Sequence, residues 1–272
     1  MILDFAPHDA VSEPFRREIR DRLAAVCREE GATPLLAVES GSRAWGFHSP
    51  DSDYDCRFLY VRPVDAYLAL RPVRDVIERP IVDEIDLGGW DIGKALRLMA
   101  RGNAIVAEWM TSPIVYDEAP GFRDGFMPLV QAWRALHGDV AHYYGLARRQ
   151  WAGFIENRTE VKLKKYFYVI RPAVALHWLR IRDDAPPMNL PALLEGVSLP
   201  ADTANALAAL RRAKQAAGEG AGVGPRIDAL DTYIAEQMDW GRQARAAPPR
   251  AETDVLWTRS QAFFTALVRS EG

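Results

Sequence analysis

The chain has 272 residues, 49% of them hydrophobic and 26% charged, which suits a globular protein of one large domain or two modest ones. Its 34 Lys and Arg stand against 37 Asp and Glu, a net charge of −3, so strong charge-driven binding to duplex DNA is not expected. Two cysteines, Cys27 and Cys56, are too few for a disulfide framework and point to a reducing compartment. No apolar run reaches the ~18 residues of a membrane span, and MILDFAPHDA has no secretory pattern, so a cytoplasmic location away from membranes is expected.

In chain order, Phe15, Ile19, Leu23, Val26 and Cys27 recur at helical intervals, predicting an amphipathic helix over Glu13 to Glu30 that Gly31 ends. Leu35 to Val38 is a short apolar run before Gly41, as in a buried strand feeding a tight turn, and Asp53 to Val61 alternates as a second strand. Arg74 to Glu78 and Ile81 to Leu87 are read as two more strands, after which no further strand is expected. Helical spacing marks Asp91 to Ala100, Asn103 to Met110, Phe122 to Gly138 and Val140 to Phe154. The longest periodic segment, Val161 to Arg182, contains Pro172, where a kink is expected. Further helices are expected over residues 200–213, 226–246 and 253–269, and AAGEGAGVGP is read as a loop. The resulting plan is α+β: a small mixed sheet flanked by helices in residues 1–120, then an all-helical domain in residues 121–272.

The informative segment is ESGSRAWGFHSPDSDYD, residues 39–55. A strand ending at Gly41-Ser42 can turn sharply, glycine tolerates positive φ and close ligand approach, and Ser42 can open a helix whose N-terminus suits a phosphate. The Ser42 hydroxyl and the Arg43 guanidinium add donors. Asp53 and Asp55 stand at i and i+2 of the next strand, so both carboxylates reach one face. Two carboxylates on one face call for a cation, and a hard oxygen-seeking ion such as Mg²⁺ or Mn²⁺ fits. A third acid comes from Glu84-Ile85-Asp86 or Asp91, and Asp86 is the preferred choice, as metal ligand or as base. Either a Gly-Ser pair or an Asp-x-Asp alone is commonplace; their order and ten-residue spacing is not.

These stretches, with DEIDLGGWDIGKALRLMARGNAIVAEWMTSPIVY and KKYFYVIRPAVALHWL, resemble the DNA polymerase β-like nucleotidyltransferase superfamily, and within it the YcgL-type or RNA-ligase-associated (RlaP-like) family. The resemblance spans most of residues 35–180 and is not traced into the tail beyond Arg182, and Asn103-Ala104 stands where the family has Asn-Pro. It implies that Gly41 and Ser42 hold an NTP, ATP first among them, and that Asp53, Asp55 and Asp86 bind catalytic metal. It also implies a nucleotidyltransferase-like mixed sheet, followed by a helical domain closing the nucleotide cleft. The expected reaction moves a nucleoside monophosphate onto an acceptor not readable from the sequence, such as an RNA end, a protein or a small molecule, with pyrophosphate released. The alternative is a non-catalytic, antitoxin-like nucleotide-binding module.

Arg43, Lys94 and Lys165 are candidate phosphate contacts, each weighed against an ordinary structural role. Trp90 and Trp109 are read as core rather than as base platforms. The five histidines lack metal-ligand pairing, and there is no P-loop, dinucleotide-binding or GxSxG pattern.

Overall fold

A computed structural model describes residues 10–217, 222–244 and 250–271. They divide into two compact units: residues 10–44, 53–137 and 250–271 in one, residues 45–52, 138–217 and 222–244 in the other.

The first unit is built on a five-stranded mixed sheet. Helix α1 (Glu13–Glu30) leads into β1 (Thr33–Glu39) and β2 (Tyr54–Val61); then come α2 (Val64–Leu68), β3 (Val76–Glu78), β4 (Ile85–Asp91), α3 (Ile92–Met99), α4 (Ile105–Met110), β5 (Val115–Glu118), α5 (Phe122–His137) and, at the end of the chain, α11 (Arg250–Glu271). The strand order is β3-β4-β2-β1-β5. β1 runs antiparallel to both neighbours, whereas β2 and β4 are parallel, with Asp55 opposite Asp86 and Arg57 opposite Gly88. α1 buries Ile19, Leu23, Val26 and Cys27, and Gly31 closes it in the left-handed region at φ 58°. Leu59 and Val61 of β2 join Ile92, Leu96, Val106, Trp109, Phe126, Trp133 and Leu256 in one apolar cluster. Burial of each large side chain there contributes on the order of 1.5–3 kcal/mol.

Several sequence expectations are corrected. Ile81 to Leu87 is not one strand: Asp83 and Glu84 hold φ of 50° and 64°, and Val82 and Ile85 bond across them. Two successive positive-φ residues make a tight reversal of the kind that joins hairpin strands, and short polar side chains such as Asp tolerate it. Sheet signals do not stop at Trp90, because Val115–Glu118 forms an edge strand on β1. The expected boundary at residue 120 falls between β5 and α5, both in the sheet unit, since Phe122, Phe126, Leu129, Val130 and Trp133 of α5 bury themselves in its core. The last helix joins this unit too, with Leu256 and Val268 in the cluster and Trp133 Nε1 donating to Ser260 Oγ at 3.0 Å.

The second unit comprises α6 (Val140–Phe154), β6 (Glu160–Lys162), α7 (Lys165–Ile181), α8 (Leu190–Gly196), α9 (Ala201–Ala217), β7 (Val223–Pro225) and α10 (Asp228–Ala244). α7 is its buried axis, packing Tyr166, Phe167, Ile170 and Val174 against Leu230, Tyr233 and Ile234 of α10. Val161 to Leu163 is not helical as expected: β6 pairs with β7, which lies inside the AAGEGAGVGP stretch, and residues 218–221 of that stretch fall outside the described residues. Pro172 lies within α7, which continues to Ile181. Among the described residues, no helix is long and apolar enough to cross a membrane.

Candidate active site

The Gly41-Ser42 turn and the acids meet at one end of the sheet. Ser40 N donates to Asp55 O at 2.9 Å, pinning the end of β1 to the start of β2. After it, residues 41–46 form turns rather than the helix expected to open at Ser42, so no helix N-terminus faces a phosphate there. Positive φ falls not on Gly41 but on Gly46, at 79°. Gly41 is required for another reason: a Cβ there would lie 1.7 Å from Asp55 Oδ2 and 2.7 Å from Asp55 Cβ. The Asp55 side chain therefore rests directly on the Gly41 backbone.

Asp55 and Asp86 occupy matching positions on adjacent parallel strands, so their side chains leave the sheet on the same face. They keep 30% and 27% of their side-chain surface exposed, enough for a ligand to reach. Asp53 precedes β2 and is exposed. Burial, together with the neighbouring Asp86 and Asp53 charges, pushes the Asp55 carboxyl above its ordinary range, with Arg57 opposing. Glu84 does not share the strand face with Asp86; it sits in the left-handed reversal before β4. Asp91 lies at the far end of β4, where it caps α3 through Gly93 N at 2.8 Å and accepts from Tyr67 Oη at 2.7 Å. Of the three alternatives for the third acid, only Asp86 stands beside Asp55.

Arg57 went unremarked in the sequence. Its Nη2 lies 2.6 Å from Asp86 Oδ2 and 3.4 Å from Asp55 Oδ1, while Nη1 donates to the carbonyls of Cys56 at 3.1 Å and Asp86 at 3.0 Å. The guanidinium lies across β4 beside Gly88, where even a Cβ would meet Nη1 only in ordinary contact at 3.4 Å. The alternation that was read from Asp53 to Asp55 reaches residue 57 within β2 and was a usable signal for it.

Beneath the site, Glu39 is fully buried. Its Oε1 accepts from Asp55 N at 3.0 Å and its Oε2 from the Tyr116 hydroxyl, while Ser112 Oγ donates to its carbonyl at 2.7 Å. Burial pushes the Glu39 carboxyl up to about 7, although both hydrogen bonds pull the other way. Arg43, also buried, is committed to the backbone: Nη1 donates to Ala10 O at 2.7 Å and Nε to Asp53 O at 3.3 Å, with the guanidinium 3.8 Å above the Tyr54 ring. It thereby holds the chain at Asp53. Trp109 is buried in the core and half-buried Trp90 packs on it at 4.4 Å, the structural role expected for both. Trp109 Nε1 donates to Ser40 Oγ at 2.9 Å.

Lys94 Nζ lies 3.5 Å from Asp75 and 5.9 Å from the Trp90 ring centroid. Lys165 begins α7 in the second unit, its Nζ 4.5 Å from the Phe154 and Tyr168 ring centroids. In the same unit, residues 45–52 of the motif loop are bound by Leu190 N to Trp45 O at 2.9 Å, Lys214 Nζ to Phe47 O at 2.6 Å and stacking of Phe47 on Phe167 at 5.1 Å.

The donor chemistry of Asp53, Asp55 and Asp86 fits a hard divalent cation. Among the described residues, however, no group of three or more His, Cys, Asp or Glu side chains is disposed to hold a metal ion; Arg57 lies against two of the three acids.

A glycine-serine turn opposite paired strand carboxylates on a small mixed sheet is the arrangement of a DNA polymerase β-like nucleotidyltransferase. A family model described as "RNA repair pathway DNA polymerase beta family" (RlaP) matches residues 15–265, and the chain belongs to that family. The uncharacterized protein YcgL of Bacillus subtilis (strain 168) is 38% identical over 225 residues, covering 82% of this chain and 85% of that protein. A crystal structure of a nucleotidyltransferase-like protein from Exiguobacterium sibiricum 255-15 is 10% identical, with 83% of this chain and 74% of that chain covered and a TM-score of 0.29.

Proposed function

We propose that the protein is a Mg²⁺- or Mn²⁺-dependent nucleotidyltransferase that moves a nucleoside monophosphate from an NTP to a hydroxyl or phosphate acceptor. The reading rests above all on the pairing of Asp55 with Asp86 on neighbouring strands, with Gly41 held against the Asp55 carboxylate. Asp53, Asp55 and Asp86 would hold the divalent cation, which supplies positive charge against the phosphates and the attacking oxygen. The acceptor oxygen attacks the α-phosphorus, the α–β phosphoanhydride bond breaks, and pyrophosphate leaves with the bonding electrons. Asp86 accepts the acceptor's proton where that acceptor is a hydroxyl. Gly41 and Ser42 bring the turn's backbone and a hydroxyl to the triphosphate, and Arg43 fixes the chain that carries Asp53. Lys94 is a further cation proposed to meet nucleotide, ATP first.

An RNA end is the first acceptor to test, because the family description names an RNA repair pathway; a protein or small molecule is the other outcome. The experiment incubates the protein and its Asp53→Ala/Asp55→Ala variant with each α-labelled NTP, Mg²⁺ or Mn²⁺, and total RNA and protein extract. Label transferred by the wild type and not by the folded variant is expected. Equal transfer by both refutes the mechanism. A second reading, a nucleotide-binding module without turnover, draws on Arg57 already bridging the acid pair. It predicts metal-dependent NTP binding with no pyrophosphate release.

A further inference from the structure

Asp55 and Asp86 are not waiting as bare like charges. One guanidinium nitrogen of Arg57 touches an oxygen of each, at 3.4 and 2.6 Å, and the other nitrogen is tied to the Cys56 and Asp86 carbonyls. The planar fork thus spans β2 and β4 at the point where the two carboxylates face one another. Nothing on Gly88 obstructs it, since a Cβ there would meet Nη1 only at 3.4 Å. The Arg57 side chain keeps 25% of its surface exposed, so it is not sealed inside the core. We propose that Arg57 is the resident counter-ion of the acid pair and must release both carboxylates before a divalent cation can bind them.

The inference rests on the nucleotidyltransferase reading for its choice of ligand, a hard divalent cation, and adds how access to that site is controlled. A guanidinium and a metal ion cannot both take the inner oxygens of Asp55 and Asp86. Metal affinity is therefore reduced by the fraction of molecules in which Arg57 is in place. If the open form is about a tenth of the population, the apparent affinity is about tenfold weaker than the acids alone would give. Once displaced, the guanidinium remains beside the site as a positive charge that an incoming triphosphate can engage, which couples nucleotide arrival to metal binding.

The test is Mn²⁺ titration of the nucleotide-free, full-length protein, followed by the paramagnetic resonance of free Mn²⁺. Arg57→Gln is expected to bind Mn²⁺ about tenfold more tightly than wild type. Adding Asp55→Asn and Asp86→Asn should abolish that binding in either background. Arg57→Lys, whose ammonium is a single point charge without a fork, should fall between. A folded Arg57→Gln protein with wild-type or weaker Mn²⁺ affinity overturns the inference. A second measurement needs no variant: diamagnetic Mg²⁺ added to wild type should speed exchange of the Arg57 guanidinium protons, seen by nitrogen-edited NMR. Mg²⁺ binding that leaves those protons undisturbed also overturns it. Tighter Mn²⁺ binding without transfer from any NTP would remove the proposed reaction and leave the role of Arg57 standing. Normal transfer with unchanged Mn²⁺ affinity would do the reverse.

Discussion

Gly41→Ala is the sharpest perturbation of the site, because the added atom has a single defined neighbour. Its Cβ would lie 1.7 Å from Asp55 Oδ2, 2.5 Å from Cγ and 2.7 Å from Cβ, where ordinary contact begins at 3.4 Å. Rotating the carboxylate toward solvent relieves the first two overlaps but not the third, so β1 and β2 must also part slightly at this end. Overpacking of this kind costs about 1–3 kcal/mol. Set against a typical stability of roughly 5–15 kcal/mol, that leaves nearly all molecules folded. Activity should fall much further, because displacing a catalytic group by about 1 Å costs on the order of 100-fold. The assay is label transfer from an α-labelled NTP, normalised to folded protein by urea titration. The clash has a specific cure: Gly41→Ala with Asp55→Gly removes the opposing Cβ, so stability should recover while transfer stays lost, a non-additive pair. Transfer within threefold of wild type in Gly41→Ala, or a stability loss that Asp55→Gly does not relieve, would refute the assignment of Gly41 as the seat of Asp55.

Two further outcomes follow from the buried groups below the site. Glu39 releases its proton near the ordinary 4.5 when unfolded and near 7 when folded, so the folded chain holds the extra proton between those values. The contribution of Glu39 to stability is then fully present below about pH 4.5, falls by about 3 kcal/mol as pH rises to 7, and levels off above it. Urea unfolding with a chelator present should show this slope in wild type and a flattened one in Glu39→Gln; parallel profiles would refute it. Arg43→Gln should cost about 1–3 kcal/mol by leaving the buried Ala10 carbonyl without its donor, and Arg43→Lys should recover only part of that, because an ammonium cannot serve Ala10, Asp53 and the Tyr54 ring at once. Unchanged unfolding midpoints in both variants would count against this clamp.

The parts of the molecule that were legible in advance are those where one residue's neighbours along the chain settle its surroundings. Ile19, Leu23, Val26 and Cys27 repeat at the helical period and bury one stripe of α1; the alternation from Tyr54 onward makes β2. The same local logic brought Gly41 and Asp55 to the fore, though it credited Gly41 with a backbone freedom it does not use. Its need for glycine comes from a side chain 14 positions away, across the β1–β2 pairing. Glu84 and Asp86 looked equivalent because period two puts them on one face; the left-handed backbone at Asp83 and Glu84 breaks that period before β4 begins. Arg57 shows the limit from the other side. Its position two residues after Asp55 marks its face, but its partner Asp86 lies 29 positions on, and the parallel β2–β4 register that opposes Asp55 to Asp86 is set by the turn at Asp83-Glu84 and the crossover through α2 and β3. The charge balance of the candidate site is therefore a property of strand register. A one-residue slip of β4 would send Asp86 to the opposite face of the sheet and leave Arg57 with Asp55 alone.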